Sequence, residues 1–243
     1  MRIFELKKVR VSEIFGPTVQ GEGPLIGKPT VFVRTGGCDY RCNWCDTLYA
    51  VLPKHSKEWI KMDDDQIINE VNKLSNNNPI LISLSGGNPA MHNLENIIQL
   101  GKKFGHTFAL ETQGSIAREW FKELDYLLLS PKPPSSGEKV DWKKFDDCLD
   151  MGKQSNTYLK IVIFDDKDYD FAKSVSEKYN YLPCYLQVGN PIYPEGEKNI
   201  DNLNEVLMEN YRWLIDKASK DKWFSATILP QIHVLTWGTI RGV

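Results

Sequence analysis

Along the chain, short and almost wholly apolar runs alternate with longer stretches in which apolar residues recur every three or four positions. The runs are PTVFVRT (29–35), ILISLS (80–85), TFALET (107–112), YLLLS (126–130), YLKIVIF (158–164), CYLQVG (184–189) and SATILPQ (225–231). Such continuously apolar runs predict strands covered on both faces. Between them, Ile67, Ile68, Val71 and Leu74 share one face of a predicted helix, with Asp63 to Asp65 supplying its cap and first-turn charge. Leu94, Ile97 and Ile98 share a face of a second, and 168–179 and 202–219 also carry helical patterns. Strand and helix in alternation predict a parallel α/β fold. With about six such strands, a partial or open barrel fits as well as a flat doubly wound sheet. The segment PKPPSSGEKV (131–140) reads as a loop that passes from ordered to flexible, not as a linker, so residues 1–243 are read as a single domain.

Composition narrows the function classes. The 243 residues are 41% hydrophobic and 26% charged, with a net charge of −2, an ordinary globular balance. Lysines are scattered and form no basic block, which gives no footprint for nucleic acid. The first ten residues, MRIFELKKVR, lack the apolar core of a leader. No apolar run approaches the roughly 20 residues that span a bilayer. A cytoplasmic protein without a membrane partner is expected. Three of the five cysteines are clustered while Cys148 and Cys184 stand alone, which is no disulfide framework.

The candidate chemistry lies in GGCDYRCNWCDT (36–47). Cys38, Cys42 and Cys45 are spaced C-x3-C-x2-C directly after a predicted strand and a Gly36-Gly37 turn. A structural zinc would need a fourth ligand. His55, Cys148, Cys184 and Asp46 are available, none at a convincing spacing. A [4Fe–4S] cluster held by three thiolates leaves one iron open for a small molecule, which gives an incomplete ligand set a use. With Trp44 before the last cysteine, the spacing resembles the radical S-adenosylmethionine (SAM) signature. SLSGGNPA (83–90) resembles the glycine-rich SAM-binding motif one β-α step later, with Asn88 where the common form of that motif has a glutamate.

Further segments narrow the resemblance. FGPTVQGEG (15–23), FVRTGGCDYRCNWCDT (32–47), ALETQG (109–114), LLSPKPPSS (128–136), YLQVGN (185–190) and the terminal LPQIHVLTWGTIRGV (229–243) together closely resemble the 7-carboxy-7-deazaguanine synthase family, in its C-x3-C subtype, from about residue 9 onward. The Asn88 form of the glycine motif suits that subtype. The resemblance implies a partial (β/α)6 radical SAM barrel. It implies conversion of 6-carboxy-5,6,7,8-tetrahydropterin to 7-carboxy-7-deazaguanine with loss of ammonia, in queuosine and 7-deazapurine biosynthesis. The implied cofactors are a [4Fe–4S] cluster, SAM and Mg2+. SAM would chelate the open iron through its amino and carboxylate groups and yield a 5'-deoxyadenosyl radical after one-electron cleavage. The implied partners are the pterin, an external donor such as a flavodoxin or ferredoxin, and a second copy of the chain.

Roles carry over position by position. Cys38, Cys42 and Cys45 would hold the cluster, and Thr47 would ligate Mg2+ through its hydroxyl, unless that hydroxyl merely caps a loop. Val19, Gln20, Gly21 and Glu22 would read the pterin edge. Arg34 would meet an anion such as the substrate carboxylate, or else form an internal salt bridge with Glu22 or Asp46. Ser85, His233 and the terminal Val243 are further substrate candidates. Trp44, Gly87, Glu111, Ser130, Pro131, Lys132, Gln187, Val188, Gly189 and Asn190 would hold SAM, with Glu111 accepting from ribose hydroxyls. These positions cluster near the C-terminal ends of predicted strands, where barrel active sites form. A glycyl-radical activase and a zinc- or cluster-binding module are the competing readings.

Overall fold

In the computed structural model, which describes residues 8–190, 202–238 and 240–243, all seven predicted runs form strands. They are β2 (Pro29–Thr35), β4 (Leu81–Gly86), β5 (Thr107–Thr112), β6 (Tyr126–Leu129), β7 (Asn156–Ile163), β8 (Cys184–Val188) and β9 (Ala226–Leu229). Each pairs in parallel with the next in this order. The first six are the strands of the predicted partial barrel, and β9 extends it. Two strands were not legible in the sequence, β1 (Val9–Val19) and β3 (Ile60–Met62). They add antiparallel to the β2 edge, giving a nine-stranded mixed sheet of order β3-β1-β2-β4-β5-β6-β7-β8-β9. The pattern hid β1 because Glu13 and the Gly16-Pro17 pair interrupt it and its pairing with β2 is irregular. Residues 1–7, part of the segment read for a leader, lie outside the described residues.

Helices α2 (Asp64–Leu74), α3 (Glu95–Lys103), α4 (Trp142–Met151), α5 (Asp166–Lys178) and α6 (Leu203–Lys220) link the strands, with short α1 (Leu48–Val51) after the cysteines and α7 (Ile232–Trp237) after β9. The Asp63 cap of α2 is a full capping box: its carboxylate accepts from Gln66 N at 2.9 Å while Gln66 Oε1 accepts from Asp63 N at 2.9 Å, an arrangement that stabilises a helix by about 1 kcal/mol. Between β5 and β6 the crossover shrinks to a 3-10 segment (Glu119–Glu123) that buries Trp120 and Phe121. No described helix is long and apolar enough to cross a membrane.

The two faces of the sheet differ. Val31, Val33, Ile82, Leu84, Phe108, Leu110, Leu127, Leu129, Leu159, Ile161, Ile163, Leu186 and Val188 join the helices in one apolar core. The alternate residues of the same strands face the barrel lumen. At its lower end Leu25, from the hairpin between β1 and β2, packs with Leu81, Ala109 and Leu128 as a small apolar plug. Above the plug the lumen turns polar, with Arg34, Ser85, Glu111 and Lys160 lining a cavity. The continuously apolar look of the strands thus reflects a covered outer face and a lumen that is apolar only at its base.

Candidate active site

The cavity, of about 250 Å³, opens at the C-terminal ends of the parallel strands. Its lining includes Val19, Gln20, Gly21, Glu22, Arg34, Cys38, Cys42, Trp44, Cys45, Thr47, Ser85, Gly87, Glu111, Ser130, Lys132, Asn190, His233 and Val243, so most of the sequence candidates converge there. Pro131, Gln187, Val188 and Gly189 do not line it. Gln187 is fully buried; its Oε1 accepts from Gly23 N at 3.3 Å and its Nε2 donates to Leu229 O at 3.2 Å, tying the β1–β2 hairpin to β9. Val188 belongs to the outer core, and Gly189 lies under the Phe164 ring.

At one end of the cavity sit the three thiols, all free and half-buried. Burial pushes each above its ordinary range, Cys42 to about 11, so a metal centre is needed to hold them as thiolates at neutral pH. Among the described residues, Glu22, Asp46 and His233 are the one trio of potential ligands whose donor atoms lie within 4.8 Å of one another. The three sulfurs are spread wider than that. A tetrahedral zinc with Zn–S bonds of about 2.3 Å would draw them to about 3.8 Å apart. A four-iron cluster, with each thiolate on a different iron, suits the wider spread.

The cysteine loop is held by two neighbours. The loop 133–139 clamps it from one side: Asn43 N donates to Ser136 O at 2.9 Å, Trp44 Nε1 to Ser135 Oγ at 2.8 Å, and Tyr40 OH to Lys139 O at 3.1 Å. The proline-rich segment is therefore an ordered clamp where the sequence had suggested growing flexibility. From the other side the glycine motif docks: Gly87 N donates to Thr35 O at 3.0 Å and Asn88 N to Gly37 O at 2.8 Å. A Cβ on Gly87 would stand 2.0 Å from Gly37 O, so the protein's own packing already demands glycine there. Asn88 is 0% exposed and spends its whole amide inside. Its Oδ1 accepts from Thr112 Oγ1 and Ala90 N, and its Nδ2 donates to Asp39 and Ser115. An acid at this position could not donate to Asp39, which explains the departure from the glutamate form.

Thr47 stands at the N-cap of α1 but its side chain caps nothing; its one hydroxyl contact is Cys45 Sγ at 3.7 Å. Capping of α1 is therefore not what the hydroxyl does. The hydroxyl and the neighbouring Asp46 carboxylate both line the cavity, an oxygen set suited to a hard divalent cation.

The opposite end is a charged network that the sequence reading missed. Lys160 Nζ is paired with both Glu22 and Glu111, the latter at 2.7 Å. Gln20 Nε2 donates to Glu111 Oε1 at 2.8 Å, and Gln231 Nε2 donates to Glu22. Burial alone would raise the Glu22 carboxyl; Lys160, His233 and Gln231 outweigh it and hold it down at about 2. The same two carboxylates outweigh desolvation at Lys160 and raise its ammonium. Glu111 thus sits in this network, and both its oxygens are engaged. His233 lies over Gly21, where a Cβ would stand 2.2 Å from its ring, and its Nε2 is 3.9 Å from Glu22.

Arg34 pairs internally, with neither of the two acids weighed for it. Its Nε donates to Glu13 at 2.7 Å. Glu13 also accepts from Tyr49 OH at 3.0 Å and from Arg241 Nε at 2.8 Å, and the Arg241 guanidinium lies 3.8 Å from the Tyr49 ring centre. That latch brings 240–243 over the cavity. Two residues of its wall, Ser85 and Gln231, each bury a side-chain oxygen, Oγ and Oε1, that has no hydrogen-bond partner among the described residues. Leaving such an atom unpaired costs about 1–3 kcal/mol.

Residues 32–129 match the Radical SAM superfamily. The chain is 40% identical over 242 residues to a 7-carboxy-7-deazaguanine synthase of Bacillus cereus, covering 98% of this chain and all of that protein. It is 40% identical to the one of Bacillus subtilis, covering 98% and 99%. Its fold is similar to the crystal structure of QueE from Escherichia coli, with a TM-score of 0.65 at 18% identity, covering 92% and 94%.

Proposed function

This chain belongs to the 7-carboxy-7-deazaguanine synthases, a family of radical SAM enzymes, and we propose that the cavity described above carries out the family reaction with the residues assigned here. That reaction is the carbon–nitrogen lyase step from 6-carboxy-5,6,7,8-tetrahydropterin to 7-carboxy-7-deazaguanine with loss of ammonia. Cys38, Cys42 and Cys45 hold a [4Fe–4S] cluster. Those thiolates would hold the cluster beside bound SAM, and the pair would supply the radical chemistry of the reaction. The protein's own work is positioning, shielding and charge.

Trp44, Gly87, Ser130, Lys132 and Asn190 hold SAM, while Pro131, Gln187, Val188 and Gly189 support that wall from behind. The Lys132 ammonium, 5.5 Å from the Trp44 ring centre, sets positive charge beside the cluster end. Thr47 would hold Mg2+, which would supply a Lewis acid for the substrate carboxylate, and Arg34 and the terminal Val243 steady the substrate on the same side. Val19, Gln20, Gly21, Glu22 and Ser85 read the ring edge, with His233 packed over Gly21. Glu111 is reassigned from SAM ribose to this edge, because Lys160 and Gln20 fix it beside Glu22. Glu22, ionised at neutral pH, and Glu111 present acceptors to a ring rich in N–H donors.

The observation that carries the reading is the meeting, in one cavity, of three spread thiols and a buried set of acceptors. One continuous sheet holds both, which supports a single domain over 1–243. We place the enzyme in the cytoplasm, where free thiols persist, served by a flavodoxin- or ferredoxin-type donor and acting as a homodimer; both partners rest on the family resemblance. The test is an anaerobic assay of cluster-reconstituted protein with SAM, Mg2+, reductant and 6-carboxytetrahydropterin, read by mass spectrometry. The expected product is 7-carboxy-7-deazaguanine, and Thr47→Ala is expected to lower its formation at least about tenfold and raise the Mg2+ concentration required. Deoxyadenosine without that product would overturn the substrate, and neither product from fully loaded, reducible protein would overturn the radical chemistry.

A further inference from the structure

Gln231, absent from the sequence candidates, lines the cavity at the N-cap of α7 and is 6% exposed. Its backbone is fixed there: Ile232 N donates to Gly21 O at 3.1 Å and Leu235 N to Gln231 O at 3.1 Å. Its side-chain amide is fixed too. Nε2 donates to Glu22, and Oε1 is buried with no partner among the described residues. A glutamine amide can ordinarily turn over and offer either end. This one cannot, because an ionised carboxylate only accepts, so the amine must face Glu22 and the oxygen must point away from it, buried in a residue of the cavity wall. Lys160 in turn keeps Glu22 in place. The chain Lys160–Glu22–Gln231 therefore converts a two-way side chain into a fixed neutral acceptor.

A 2-aminopyrimidinone edge has a ring N–H and two exocyclic amine protons. A carboxylate takes the ring N–H and one amine proton side by side. The second amine proton then needs a separate acceptor, and a neutral one avoids setting two carboxylates against the same nitrogen. We propose that Gln231 Oε1 accepts that proton and makes the enzyme specific for the 2-amino group of its substrate and product, an inference that rests on the proposed function.

The test is a binding cycle on cluster-loaded enzyme, using 7-carboxy-7-deazaguanine and its analogue with hydrogen in place of the 2-amino group, each titrated by calorimetry against wild type and Gln231→Met. Wild type is expected to favour the aminated ligand about 10- to 100-fold. In Gln231→Met the preference is expected to fall about three- to tenfold, the remainder being carried by the carboxylate's bond to the other amine proton, while the analogue lacking the amine binds both proteins alike. An undiminished preference in Gln231→Met would overturn this inference alone. Failure of wild type to bind either ligand would overturn the proposed function and this inference with it. Should the variant not fold, a crystal structure of wild type with 7-carboxy-7-deazaguanine decides. The inference requires the exocyclic nitrogen about 2.7–3.2 Å from Gln231 Oε1, and an intervening water or another partner would overturn it.

Discussion

At one end of the cavity, three thiols ride on a loop between strands, shaped largely by hydrogen bonds of neutral groups: Asn43, Trp44 and Tyr40 to the loop 133–139, and Asn88 beneath. At the other, an ammonium and two carboxylates project from strands and the hairpin that plugs the barrel, buried and paired with one another. In the proposed function the first end admits a bulky inorganic group and an electron, and it is built of loops with the Asp39 carboxylate and the Lys132 ammonium beside them. In the proposed function the second recognises a planar polar ring, and its groups are fixed on rigid elements and desolvated, where each hydrogen bond discriminates more strongly. The contrast makes the two ends separable by mutation.

The largest effect belongs to the cluster end. Cys42→Ala is expected to abolish product formation and lower bound iron while leaving the thermal unfolding of the iron-free protein almost unchanged, checked by iron content and calorimetry. At the other end Lys160→Met inverts the pattern. It strands two buried carboxylates, and removing one partner of such a network costs on the order of 3–5 kcal/mol, to be read as a lower urea midpoint with iron binding intact. Asn88→Asp couples the ends to a smaller degree. It sets a carboxylate against Asp39 and loses a buried donor, for about 1–3 kcal/mol, with faster cluster loss as the sharper readout.

The smallest effect is in pH. Glu22 titrates at about 2 in the fold, below the usual glutamate value of about 4.3. Its depressed value adds stability that is complete above the unfolded value and lost as pH falls from about 4 toward 2. Urea midpoints across that window should therefore fall less steeply in Glu22→Gln than in wild type.

The two ends were not equally legible in the sequence. Cysteines are rare and their spacing is local, so Cys38, Cys42 and Cys45 could be read without a fold, whereas Thr47 beside them was singled out by the family resemblance alone. Every parallel strand was likewise visible, because its outer face is uniformly apolar. The buried charged end is assembled from positions far apart in the chain, from Gln20 to Gln231, and only the topology unites them. One signal was available: Lys160 is the lone charge within YLKIVIF, and a lysine in a strand covered on both faces must be paired. Gln231 offered none, because its orientation is imposed by Glu22, 209 positions away. Nor could the sequence tell that Gln187 turns inward to brace the hairpin while its neighbour Asn190 reaches the cavity.

The separability of the two ends is tested most directly in one sample of cluster-loaded Lys160→Met, kept well below its melting transition. The paramagnetic resonance of the reduced cluster would be recorded with and without SAM, and product formation measured in parallel. The account predicts a cluster signal and SAM response like those of wild type, with formation of 7-carboxy-7-deazaguanine reduced by about a hundredfold or more. Loss of the cluster signal along with the product, or wild-type product formation without Lys160, would contradict it.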